Sequence, residues 1–220
     1  MESYAAIGRI RDRMKEHFAF SLTEGHTGEK AAICLRERLK GIPFNAASTA
    51  LLKEYASPTL RDDFSRAIDK NTANINRDKV ALSLTAAFFD PLRKSFMTFA
   101  FLTGGDMQGK TSGDFDHDTK KDMISACFSL LHSYRDIAKN MRLVLPEEKT
   151  PPDKYDLYVR EIENEFIPAL QKAVPAFAAE LGLSKEEMVA AENRAISGLL
   201  EGREHLAPLP ARAWQASIQL

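Results

Sequence analysis

Little in this sequence marks a specialised chemistry. It holds two cysteines among 220 residues, Cys34 and Cys127, far apart and each within a helical pattern. No disulfide framework and no paired-cysteine zinc site can be built from them, so both read as free thiols of a reducing compartment, buried in the core. Five histidines are scattered along the chain. No nucleophile with a base and an orienting group assembles from them. Neither sign of charge is in excess: 30 Lys and Arg stand against 31 Asp and Glu. That balance speaks against a dedicated nucleic-acid binder or a polybasic membrane clamp. No uninterrupted apolar run reaches the ~20 residues of a membrane span. The most apolar stretch, Val80 to Thr103, is broken by Asp90, Arg93 and Lys94. The N-terminal residues Met1-Glu2-Ser3-Tyr4 lead into a charged helix and carry no basic region followed by an apolar one, so no secretory signal is read there. The expected compartment is therefore a cytoplasm, the chain's own or, for a secreted effector, that of a host. Strict period-two alternation, internal repeats and low-complexity tracts are also missing.

What is present is helical periodicity. With 44% hydrophobic residues the chain can bury one large core or two small ones. Ile7, Ile10, Met14 and Phe18 fall on one side of a first helix. A second runs from about Glu29 to Lys40, with Gly41 suited to its C-terminal cap. Asn45 can open a short helix. Ser57-Pro58 supplies a capping serine and an N1 proline for another. A long apolar helix follows over about 77–103, with Asp90-Pro91 as either a restart or a kink, and Gly104-Gly105 ends it. Residues 119–141 repeat Met123, Cys127, Leu130, Tyr134, Ile137 and Met141 at helical spacing. A further helix starts near Asp153 and meets Pro168 and Pro175, which should kink or split it. Ser184 and Glu187 form a capping box for the last long helix. Trp214 lies in the tail beyond it. These signals predict an all-α fold, a single globular bundle of about eight or nine helices with one long loop at 104–118. Charge suggests a subdivision. Residues 1–146 carry 22 Lys and Arg against 18 Asp and Glu, and residues 147–206 carry 7 against 13. The proline-rich break between them would separate a helical core, 1–146, from a C-terminal helical segment, 147–220, packed on it.

The 104–118 loop is the most informative segment, because so long a loop in a compact helical domain is more often functional or mobile than accidental. Gly104, Gly109, Lys110 and Thr111 match the spacing of a phosphate-binding loop, in which glycines free backbone N–H groups for phosphate, lysine reaches the terminal phosphates and the hydroxyl holds a metal. Such a loop needs a strand before it and a helix after it, and the segment before it reads as helix. Asp114, Asp116 and Asp118 alternate as in the first half of a calcium loop. The glycine and glutamate that complete one are replaced by Thr119 and Ser125. A looser magnesium or calcium site is one reading, with Asp106 as a further donor. The other is that these acids favour the start of the next helix, with Asp118 as N-cap. His132 with Asp136, and Glu201 with His205, are i,i+4 pairs that would suit a bundle metal site or simply a solvated face. Arg9, Arg11, Arg13 and Lys15, and likewise Arg36, Arg38 and Lys40, are spaced by two and read as solvated surface. Residues 29–56 have a helix-turn-helix outline, but Asn45 to Ala56 holds one basic residue, Lys53, too few for the phosphate contacts such binding uses.

Three functions follow. The first is a helical binding or regulatory protein that recognises a protein partner or small ligand. The second is a metal-dependent enzyme acting on a phosphorylated substrate through the 104–118 loop. The third is a helix-turn-helix regulator. Homo-oligomerisation is compatible with each.

Overall fold

The computed structural model describes residues 2–18, 29–40, 62, 65–66, 70, 76–104, 110–144 and 148–204. These residues form seven α-helices and no strand: α1 (Glu2–Phe18), α2 (Glu29–Lys40), α3 (Arg77–Thr103), α4 (His117–Val144), α5 (Lys154–Glu161), α6 (Ile167–Glu180) and α7 (Lys185–Glu204). The all-α class is as the periodicity predicts. The count is seven where eight or nine were expected. The segment opened by Asn45 lies outside the described residues, and of the one opened by Ser57-Pro58 only Asp62, Ser65 and Arg66 are described, all three helical; Gly41, Gly105 to Gly109, Leu145 to Glu147, His205 and Trp214 also lie outside. Among the described residues no helix is long and apolar enough to cross a membrane.

The helices begin where local chemistry can satisfy their free N–H groups. The Asn76 side chain accepts from the backbone N–H of Asp78 (2.9 Å) and Lys79 (3.3 Å), which opens α3. Asp153 and Asp156 form a reciprocal box at the start of α5. Ser184 and Glu187 do the same for α7: the Ser184 N–H donates to Glu187 at 2.9 Å and the Glu187 N–H donates to Ser184 Oγ at 3.2 Å. The start of α4 corrects the sequence reading. Asp116, not Asp118, is the capping residue, because it accepts from the Thr119 N–H at 2.8 Å while Asp118 already sits in the first turn.

The helix ends are equally specified. At Gly104 a β-carbon would stand 2.1 Å from the Ala100 carbonyl oxygen, so a side chain cannot be placed where α3 stops. Gly182 turns the chain out of α6 with φ at 77°. There the Leu183 N–H bonds Ala178 O and the Gly182 N–H bonds Ala179 O, both at 3.0 Å. That pairing satisfies two of the last carbonyls of α6.

The two proline positions behave differently. α3 continues through Pro91, with the loss of one main-chain bond. Before Pro168 the chain widens instead into one π-turn, Ile162–Phe166, and the Ile167 N–H reaches back to Ile162 O. Proline has no N–H and its ring crowds the carbonyl four residues back, so a wider turn is a natural accommodation. α5, the π-turn and α6 therefore run on without a break from Lys154 to Glu180, and Pro175 stays within α6.

α4 is the central helix, packed on α3, α6 and α7, while α2 lies on α3 and α5, and α1 lies on α6. Its expected apolar positions Met123, Cys127, Leu130, Tyr134 and Ile137 are all buried. The core is one contiguous cluster that runs from Ile7 in α1 to Ala195 in α7. Both cysteines are free and buried, and burial pushes the Cys127 thiol up to about 12, which removes it from thiolate chemistry.

Candidate functional site

α1 and α6 run antiparallel. At one end the Ser3 N–H donates to Glu180 at 3.0 Å, and at the other Arg13 meets Glu165 at 2.5 Å. Tyr4 and Arg11 fix the pitch of α1 by donating to the last carbonyl of α3, at Thr103. A cation and a hydroxyl there satisfy an oxygen that the helix itself leaves unbonded.

Between α1 and α6 lies an open groove of about 870 Å³. Its floor is small and apolar: Ala6 and Ile10 from α1, Ala169 and Ala173 from α6. Arg9 on one wall and Lys172 on the other are exposed, and among the described residues neither is paired with a carboxylate. The stretch of α1 along it, Glu2 to Arg13, spans about 17 Å at the helical rise per residue.

The π-turn closes one end of the groove. It sends Phe166 inward, where the ring stacks on Tyr134 at 5.4 Å between centroids. Glu161 and Glu165 both reach Arg13, at 3.3 and 2.5 Å. Behind Phe166 lies His17, buried and stacked on Tyr158 at 4.2 Å, with its Nε2 2.8 Å from Glu161. Burial lowers the His17 pKa to about 3, and the Lys30 and Arg13 cations add to this. The imidazole is therefore neutral near pH 7, and its contact with Glu161 is a polar contact, not an ion pair.

The residues singled out from the sequence are distributed otherwise. Gly104 follows a helix where a phosphate loop has a strand, and Thr111 opens a single 3₁₀ turn, Ser112–Asp114, where such a loop has a long helix. Gly109 lies outside the described residues. Lys110 sits over the Phe115 ring at 5.6 Å. Asp114 accepts from the N–H and hydroxyl of Thr111, at 2.6 and 3.0 Å, and Asp116 takes the corresponding groups of Thr119. These hydrogen bonds lower both carboxyl pKa values. Asp118 is exposed. Among the described residues no three His, Cys, Asp or Glu side chains gather as a metal cluster. His132 turns to Glu192 at 3.0 Å, Asp136 is buried, and Glu201 is exposed.

One expectation is overturned. Arg38 is not solvated: its side chain is 3% exposed, and it lies 3.0 Å from Asp153 and 3.3 Å from Asp156. α2 packs across the start of α5, so the acids that cap α5 also receive the arginine of α2. The groove gave no comparable signal in the sequence. Its walls are 152 to 177 positions apart, and alanines at helical spacing look like ordinary helix. No family model, no curated protein and no solved structure matches the chain.

Proposed function

We propose that this chain is a binding module whose groove between α1 and α6 receives an amphipathic helix of a protein partner. One observation carries the reading: an apolar-floored trough about three helical turns long, flanked by two cations that have no carboxylate partner among the described residues. The alanines keep the walls low, so a third helix can approach to the ~8–10 Å between axes at which helices interlock. The trough is open along its length, which suits a helix laid into it with anchors at i, i+3, i+4 and i+7. Arg9 and Lys172 favour acidic residues at the edges of that helix and speed its encounter.

The test uses a labelled 18-residue host peptide with a leucine stripe and glutamates beside it. Fluorescence anisotropy should rise to saturation with the wild-type chain. It should stay flat with Ala169→Trp, which fills the trough from a position outside the core, while the helical circular dichroism of that variant is unchanged. Equal binding by Ala169→Trp, or no binding by either, contradicts the reading.

A further inference from the structure

Charge is ordered along the groove as well as across it. The Ser3–Glu180 and Arg13–Glu165 contacts mark its two ends, and Arg9 and Lys172 lie between them on opposite walls. Each middle cation stands seven residues from an acid on its own helix. Glu2 precedes Arg9 on α1, and Glu165 precedes Lys172 on α6. Seven residues are two helical turns, about 10 Å. Because α1 and α6 run antiparallel, Glu2 and Glu165 sit at opposite ends of the groove. The groove is therefore acidic at one end, basic in the middle and acidic at the other end. All four side chains are exposed. Among the described residues Glu2, Arg9 and Lys172 have no ion-pair partner. Glu165 shares Arg13 with Glu161, and one cation against two carboxylates leaves that end net negative.

We infer that the groove selects, among the amphipathic helices of protein partners, one that is acidic in its central turns and basic toward both ends. The inference rests on the groove reading above and adds which helix is received. Positions seven apart return nearly to the same side of a helix. A glutamate beside the buried stripe of the occupant therefore meets Arg9, and a lysine two turns away on the same flank meets Glu2. The other flank meets Lys172 and Glu165 in the same way, with its lysine toward the opposite end. A helix with lysines in the middle and glutamates at its ends sets like charge against like at all four positions. The apolar floor attracts both helices, and the order of charge discriminates between them.

Two end-blocked peptides of identical composition test this by fluorescence anisotropy with the full chain. Both carry the leucine stripe. One has glutamates beside the stripe in its central turns and lysines two turns to either side, and the other has these residues exchanged. Circular dichroism of the free peptides checks that their helicities match. At about 20 mM salt the first should bind the wild-type chain about tenfold more tightly than the second, as befits four exposed pairs against four like-charge contacts. At about 500 mM salt the ratio should fall toward one, since exposed charges are then screened within a few ångströms. Arg9→Glu with Lys172→Glu makes the groove acidic throughout and should erase the preference. Both positions are exposed, so that variant should retain the wild-type circular dichroism. Equal affinity of the wild-type chain for the two peptides, or a preference that survives high salt or the double substitution, overturns the inference. Where both peptides bind the wild type alike and neither binds Ala169→Trp, the groove reading stands and the order of charge does not select the occupant. Where neither peptide binds, both fail.

Discussion

Two arginines in this molecule each sit between two carboxylates, and they are built for different tasks. Arg38 is enclosed: its own side chain is 3% exposed, and those of Asp153 and Asp156 are 26% and 2% exposed. Arg13 stands at the groove end with 54% of its side chain exposed, between Glu161 at 32% and Glu165 at 49%. The Arg38 acids also cap α5, so that cluster ties two helices together and its charges cannot be separated without leaving one buried and unpaired. The Arg13 cluster stays in contact with solvent. The same residue types thus give a structural lock in one place and a charged rim beside an open groove in the other.

The largest expected effect is at the lock. Arg38→Ala should lower the unfolding free energy by about 3–5 kcal/mol, because it leaves the buried Asp156 carboxylate with backbone N–H donors from Lys149 and Asp153 but no cation. Arg13→Ala should cost under about 1 kcal/mol, the usual worth of an exposed pair. Urea denaturation of the two variants side by side checks the contrast, and equal losses would erase it. A smaller loss, about 1 kcal/mol, is expected for Ser184→Ala, which removes one half of the α7 capping box and can be read in the same titration.

The third expectation concerns pH and sharpens the difference further, because His17 belongs to the Arg13 side. Its pKa is about 3 folded and 6.5 unfolded. The unfolded chain therefore takes up a proton first, and acid favours unfolding. The stability that His17 contributes is fully present above pH 6.5 and is lost as pH falls from there toward 3. His17→Phe should flatten the wild-type slope of stability against pH over that window. His132, also lowered by burial, retains its own share. Lowered carboxyls such as Asp114 and Asp116 weaken the fold only at more acid values, below the ordinary carboxylate range. An unchanged slope in His17→Phe would show that the ring is not buried neutral.

Much of the fold was legible because it is written locally. The Ser184 and Glu187 box, the start near Asp153 and the apolar repeat of α4 all depend on residues within a turn or two of one another. Pro168 was legible as a disturbance but not as a π-turn, since a proline can be met by a kink, a split or a wider turn, and the local sequence does not choose among them. Arg38 was misread because its partners are more than a hundred positions away, and spacing by two along one helix says nothing of which neighbour will cover it. The groove and His17 share that difficulty. The loop at 104–118 stands out in the sequence through its glycines and aspartates, yet Asp114 and Asp116 turn their oxygens to the N–H and hydroxyl groups of Thr111 and Thr119.

We propose that this chain binds through α1 and α6 and not through the 104–118 loop. Amide resonances of the full chain, followed during a titration with the acidic host peptide, separate the two directly. Shifts are expected at Ala5, Ala6, Ala169, Ala173 and Ala176, with Lys110 to Asp118 unmoved. Shifts confined to Lys110 to Asp118, with the groove alanines silent, would contradict it.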